Sequence, residues 1–176
     1  FCPLGGSGEI GMNMNLYAYG KEDNQKWIIV DMGVTFADDS IPGIDLIFPD
    51  PGFILDKKED LLGIVLTHAH EDHIGAVAHI WPSLKCKMYA TPFTAALIYE
   101  KFKEKKIDIS SYLKIVPLNS KIKLGAFEID FVTLTHSILE PNGLSITTPL
   151  GTILHTGDWK IDPNPLIGGA IDEKKL

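Results

Sequence analysis

Apolar positions along the 176-residue chain come in short runs bounded by turn-forming residues, a pattern of strands more than of helices. Residues 13–19 alternate and stop at the turn-forming stretch 20–24. Residues 26–31 then run apolar up to Asp31, so the two predict a hairpin. Residues 61–66 (Leu-Leu-Gly-Ile-Val-Leu) read as a buried strand, residues 86–90 as a short one, and Ile115 and Val116 lie in another. Two further hairpins are predicted, 121–124 with 127–134 across Gly125-Ala126, and 145–148 with 152–155 across Pro149-Leu150-Gly151. Helical spacing is rarer. Ile74, Val77, Ala78 and Trp81 share a helical face that Pro82 is expected to end. Thr91 and Pro92 form an N-cap and first position for a second helix, with Ala95, Leu97, Ile98 and Phe102 on its buried face. A Pro/Gly-rich loop over 42–52 precedes a short helix expected at 53–58.

This pattern predicts one domain of the α/β (α+β) class, with no internal repeat, low-complexity tract or linker. Gly6, Gly8 and Gly11 match G-x-G-x-x-G, and Asp31 follows twenty residues later, as a dinucleotide-binding fingerprint requires. A strand-like pattern follows Gly11 where that fingerprint needs a helix, so the glycines are read as a turn.

Composition narrows the field. At 45% hydrophobic and 22% charged the chain is an ordinary globular one, and its net charge of -7 argues against a free-standing basic nucleic-acid binder. Bound divalent metals would add positive charge that a residue count ignores, so a nucleic-acid enzyme stays open. No apolar run approaches the roughly 18 residues of a membrane span. Cys2 and Cys86 are too few for a disulfide scaffold and read as reduced thiols of a cytosolic protein. The start at Phe1 and the charged end 172–176 are read as marks of a fragment.

The chemistry concentrates in Thr67-His68-Ala69-His70-Glu71-Asp72-His73-Ile74, a tight loop between predicted strand and helix. Imidazole and carboxylate are the usual ligands of zinc and its neighbours. Metal-type side chains recur at three other strand ends, Asp31, His136 and Asp158. A catalytic zinc takes three protein ligands plus water, and His68, His70 and His136 supply one such set. Asp72 and His73 point to a second metal, and Asp158 can bridge the pair through its two oxygens. Two divalent ions about 3.5–4 Å apart can share a hydroxide whose parent water has a pKa lowered to about 7. The second site is one protein ligand short, to be filled by solvent or by a residue beyond 176. Asp31 is expected to orient a ligating histidine. His79 is read as structural, His155 as packing or orienting a ligand, Glu71 as solvent-facing, and the lysine-rich run 101–106 as a solvated face.

These motifs resemble the metallo-β-lactamase superfamily. Leu4-Gly5-Gly6-Ser7-Gly8-Glu9-Ile10-Gly11-Met12-Asn13, Asp31-Met32-Gly33, the histidine loop, Thr135-His136-Ser137-Ile138 and His155-Thr156-Gly157-Asp158-Trp159-Lys160-Ile161-Asp162 are more specifically similar to the bacterial ribonuclease J family, over about residues 4–162. The resemblance implies an αββα sandwich. It also implies metal-dependent cleavage of RNA, internally and processively from the 5′ end, favouring a 5′-monophosphate, with two divalent ions. Histidine-rich ligation suits zinc; manganese or magnesium are alternatives. His68, His70 and His136 fall at one metal, Asp72 and His73 at the other, with Asp158 bridging and Asp31 in support. The resemblance further implies RNA as partner and a homo-oligomeric parent protein, of whose catalytic domain this chain matches only the first part. An inserted β-CASP domain, the rest of the lactamase domain and a C-terminal domain lie beyond it. The second sheet is therefore expected to be largely absent, and the fragment alone to bind metal incompletely and cleave little. A thioester or lactone hydrolase on the same fold, or a non-catalytic RNA-binding fragment, are the competing readings.

Overall fold

The computed structural model describes residues 1–171, and the charged end 172–176 lies outside the described residues. β1 (Cys2–Gly5), which the apolar pattern does not reveal, and β2 (Met14–Tyr19) flank the glycine-rich turn. β2 pairs antiparallel with β3 (Lys26–Val30), the predicted hairpin. Gly6, Gly8 and Gly11 have φ of +82°, +79° and +98°, which closes a turn into a strand and removes the dinucleotide-binding reading. The loop beyond is less irregular than expected: β4 (Thr35–Phe36) and β5 (Leu46–Ile47) form a two-stranded ribbon within it, before the one-turn helix α1 (Gly52–Leu55).

β6 (Leu61–Val65) is the predicted buried strand, followed by α2 (Glu71–Ile74) and α3 (Val77–Leu84). Pro82 does not end α3. It sits in the last turn, and the helix stops where Lys85 takes a left-handed φ of +50°. The lost N–H bond is offset by burial of Trp81 and Leu84 on either side of the proline. β7 (Met88–Ala90) begins later than expected and leaves Cys86 outside the strand. In α4 (Pro92–Glu104) the buried stripe is Thr94, Ala95, Ile98 and Phe102, whereas Leu97 is 37% exposed, because it lies beside that i, i+3/i+4 stripe. β8 (Leu113–Ile115), β9 (Lys121–Leu124), β10 (Phe127–Thr133), β11 (Asn142–Thr148) and β12 (Gly151–His155) complete the strands.

Two sheets carry the fold. The larger has the order β1-β2-β3-β6-β7-β8, antiparallel from β1 to β3 and parallel from β3 to β8; the other is antiparallel, β12-β11-β10-β9. The expectation that the second sheet would be largely absent is therefore wrong: four strands of it lie within this chain. Length does not count layers: the later hairpins of this stretch already build the second sheet. Period-2 alternation sorts the side chains. Tyr17, Ile28, Val30 and Val65 from the larger sheet meet Leu124, Phe127, Ile129, Phe131, Leu144 and Ile146 from the other. The opposite face of the larger sheet, with Ile29, Ile64 and Met88, is covered by α3 and α4, where Trp81 packs edge-on against Phe102 at 5.3 Å. Among the described residues no helix covers the outer face of the four-stranded sheet, so three of the four sandwich layers are present. None is long and apolar enough to cross a membrane.

Candidate metal centre

Every metal-type position follows the carboxyl end of a strand, where the ladder ends and the loop is free to turn inward. Asp31 follows β3, the 68–73 cluster follows β6, His136 follows β10 and Asp158 follows β12. β3 and β6 are parallel neighbours, and β10, β11 and β12 are successive neighbours in the other sheet.

Asp31 ties the first two loops together. It takes a φ of +62°, a conformation that Asp tolerates better than most residues, and its carboxylate is fully buried. It accepts hydrogen bonds from Thr67 N–H (2.8 Å), from the Thr67 hydroxyl (2.8 Å) and from His73 Nδ1 (2.7 Å). Burial pushes its pKa up, but the charge of His73 and the hydrogen bond from it more than offset this and hold Asp31 below the usual carboxylate range. The Thr67 hydroxyl also lies 3.0 Å from His68 Nδ1. Both His68 and His73 are thus oriented through Nδ1, leaving Nε2 for the cluster.

The side chains then converge. His70 Nδ1 is 3.2 Å from both His68 Nε2 and His136 Nε2. One atom each from His68, His70 and His136 lies within 4.8 Å of the others, and the same holds for His68, His73 and Asp158. His68 belongs to both groups. Asp158 spans them, with Oδ1 3.4 Å from His73 Nε2 and Oδ2 3.7 Å from His136 Nε2. Asp72 stands outside both tight groups, its Oδ2 3.6 Å from His73 Nε2. The donor set suits a metal. Imidazole nitrogens 3.2 Å apart match the edge, about 3.3–3.4 Å, of a tetrahedron with zinc–nitrogen bonds of about 2.0–2.1 Å.

The remaining candidates take other places. His155 Nδ1 is 3.0 Å from the Tyr17 hydroxyl and its Nε2 is 4.0 Å from Asp31, so it backs the carboxylate and not the cluster. His79 is exposed and stacks on Phe48. Glu71 pairs with Lys101 at 2.6 Å, so that one lysine of the 101–106 run is engaged by the histidine helix. Three residues that are not themselves candidate ligands also shape the site. Asn13 donates from its side-chain amide to Asp72 O (3.1 Å) and lies 3.2 Å from His73 Nε2. Thr67 joins Asp31 to His68. The Thr135 hydroxyl donates to Lys160 O (2.6 Å), and Lys160 N–H donates to Thr135 O (2.7 Å), which ties the His136 loop to the Asp158 loop. Each of these three adjoins a candidate ligand or lies in a quoted motif, which is the only signal the sequence carries for them.

Charge in the metal-free cluster is unevenly shared. Burial, and then the neighbouring His73, push His68 down to about 3. Burial also opposes charge on His73, but the Asp31 carboxylate and hydrogen bonds to Asp158 and Asp31 outweigh it and lift His73 to about 10. Asp158 is drawn down to about 2, chiefly by its hydrogen bond from His73. Burial lowers His136 and His155 as well. The raised His73 contributes stability that is complete below its unfolded value of 6.5 and is lost as pH rises toward 10. The lowered His68, His136 and His155 act oppositely: below 6.5 the unfolded chain takes up the protons that the folded one refuses. With a chelator present, the melting temperature is therefore expected to peak near pH 6.5 and to fall on both sides. A melting temperature that rises steadily from pH 6.5 to 9 would contradict this assignment.

A two-sheet sandwich with a His/Asp cluster at its strand ends is the architecture of a metallo-β-lactamase-type protein. The family described as "Beta-lactamase superfamily domain" matches residues 26–173, and the chain belongs to that superfamily. Within it, its relatives are ribonucleases J, a metallo-hydrolase nuclease family. The chain is 46% identical to ribonuclease J of Sinorhizobium meliloti over all of its own length and 31% of that protein's. It is 41% identical to the Helicobacter pylori ribonuclease J, over 93% of the chain and 23% of that protein, and 35% identical to that of Thermus thermophilus, over 94% and 30%. It thus spans less than a third of these relatives' length. Among solved structures, a protein of unknown function from Enterococcus faecalis superposes with a TM-score of 0.58 at 20% identity, covering 86% of this chain and 41% of that one. The metallo-beta-lactamase fold protein YhfI from Bacillus subtilis does so with a TM-score of 0.54 at 18% identity, covering 84% and 55%. These two likenesses speak for the fold.

Proposed function

We propose that this chain is the metal-binding first part of the catalytic domain of a ribonuclease that hydrolyses RNA phosphodiester bonds, internally and from a 5′-monophosphorylated end. The observation that carries the reading is the pair of donor groups sharing His68, in a chain 46% identical to a ribonuclease J over its whole length. His68, His70 and His136 would hold one divalent ion and Asp72 and His73 the other, with Asp158 in reach of both groups and His68 close to the second as well. Zinc fits best, with manganese and magnesium as alternatives. When bound, such metals supply Lewis acidity toward phosphoryl oxygens and acidify the attacking water. The chain's own part is to hold the donors still. Asp31 and Thr67 fix the ring orientations of His73 and His68, and the Thr135–Lys160 pair fixes the spacing of the later loops. RNA is the partner, the setting is cytoplasmic, and the whole protein is a homo-oligomer. An inserted β-CASP domain, the rest of the lactamase domain and a C-terminal domain complete the enzyme beyond this chain.

The test compares 5′-phosphorylated RNA with a panel of thioesters and lactones, using both the 176-residue chain and the protein encoded by the complete reading frame. The complete protein is expected to cleave RNA to products with 5′-phosphate and 3′-hydroxyl ends, and the chain alone to show little turnover. Thioester or lactone hydrolysis with RNA left intact would replace the ribonuclease reading. Full turnover by the isolated chain would overturn its incompleteness.

A further inference from the structure

Among the described residues the His136 ring has no hydrogen-bond partner outside the donor cluster. It sits in the irregular connection between β10 and β11, in the four-stranded sheet, yet it must meet His68 and His70, which come from the other sheet. Two side chains just past it span that gap. Asn142 is completely buried and donates both amide hydrogens to backbone carbonyls. One goes across the sandwich to Thr67 O (3.0 Å), beside His68, and the other to Glu140 O (2.7 Å) within the His136 loop. Glu140 takes a left-handed φ of +53°, and its carboxylate accepts the Phe93 N–H at 2.8 Å. That N–H lies in the first turn of α4, a thirteen-residue helix whose N-cap, Thr91, makes no capping bond of its own. Glu140 therefore supplies from another loop what a local cap supplies elsewhere, and adds a negative charge at the positive end of the helix.

We propose that Asn142 and Glu140 are positioning residues that clasp the His136 loop to the first histidine loop and to α4, setting where His136 meets His68 and His70. The proposal rests on the metal reading given above. One further observation separates it from simple packing. Asn142 Oδ1 is buried and has no hydrogen-bond partner among the described residues. An apolar side chain of the same size would avoid that unmade bond. The amide is there for its two donors, and both go to the loops that carry ligands. Turning it over would face its oxygen toward two carbonyl oxygens, so only one orientation works.

The test uses the protein encoded by the complete reading frame, with zinc affinity measured by competition against a chromophoric chelator and the cobalt-substituted visible spectrum as a second readout. The variants are Asn142→Leu, Glu140→Ala and Glu140→Gln, with His136→Ala as control. Removing a group that orients a ligand weakens metal binding by about 10–100-fold, and that loss is expected for Asn142→Leu. Its metal-free melting temperature is expected to fall, because losing the orphaned Oδ1 does not offset the two carbonyls, Thr67 O and Glu140 O, that lose their donors. Glu140→Ala is expected to weaken zinc binding in the same direction, and Glu140→Gln, which keeps an acceptor for the Phe93 N–H, to restore most of it. Should Asn142→Leu fail to fold, the half-buried Glu140 pair carries the test. Unchanged zinc affinity and cobalt spectrum in the folded variants, alongside metal loss in His136→Ala, would overturn the clasp and leave the metal site standing. Unchanged binding in His136→Ala would instead sink the metal reading, and the clasp with it.

Discussion

In the protein encoded by the complete reading frame, replacing His68 and His70 together by alanine is expected, on the ribonuclease reading proposed above, to abolish RNA cleavage while sparing RNA binding. The loss should be at least the roughly 10²–10³-fold that follows removal of one electrostatic partner of a transition state, because two donors go at once. His68 contributes to both donor groups, and His70 Nδ1 stands 3.2 Å from both other imidazoles of its group. The backbone around them survives the change. The His70 carbonyl still accepts the N–H groups of His73 and Ile74, and Asp31 still holds Thr67. Single-turnover cleavage of 5′-phosphorylated RNA, beside filter binding of the same RNA, reads the two effects separately. Cleavage that persisted in the double variant would show that the chemistry does not run through these donors.

A second large effect is expected at a residue with no side chain. Gly33 approaches the histidine loop so closely that a Cβ placed on it would lie 1.6 Å from Asp72 O and 2.7 Å from His73 N. Neither strand of backbone can retreat. Gly33 N–H donates to Asn13 O, Asn13 N–H to Asp72 O, Met32 N–H to His73 O and Val34 N–H to Glu71 O, all between 2.7 and 3.0 Å. Gly33→Ala must break several of these bonds or expel the loop. Forced overpacking of a tight interior costs about 1–3 kcal/mol, and a clash with pinned backbone belongs at or above the top of that range. Urea unfolding should show a loss of about 3 kcal/mol or more, with metal affinity falling alongside. A change under about 0.5 kcal/mol would mean that the loop is far softer than its hydrogen bonds indicate.

The hydrophobic pattern located most of the elements. The β2–β3 hairpin, the buried β6, α4 and the two later hairpins all lie close to where alternation and turn residues put them. The misses have physical causes. β1 is four residues beside a glycine turn, and Cys2-Pro3-Leu4-Gly5 shows no alternation to read. Pro82 reads as a stop because local rules count one lost hydrogen bond, whereas the burial of Trp81 and Leu84 that outweighs it is tertiary. Leu97 is apolar, which points it inward, but it lies beside the buried stripe. The four-stranded sheet is visible strand by strand in the sequence, but a resemblance to longer proteins does not say how many layers this length completes.

The order of residues alone determined which chemistry is on offer: three imidazoles and an aspartate in six positions, and three more metal-type side chains, each just past the end of an apolar run. Ligand types and strand ends are local facts, and local facts survive in a one-dimensional reading. Tertiary structure decided who stands next to whom. His68, not Asp72, completes the tight group with His73 and Asp158, and Thr67, Asn142 and Thr135 became the ties between loops. The three ties join residues 25 to 75 positions apart. They depend on sheet order and on how two sheets stack, and no periodicity in the chain encodes either.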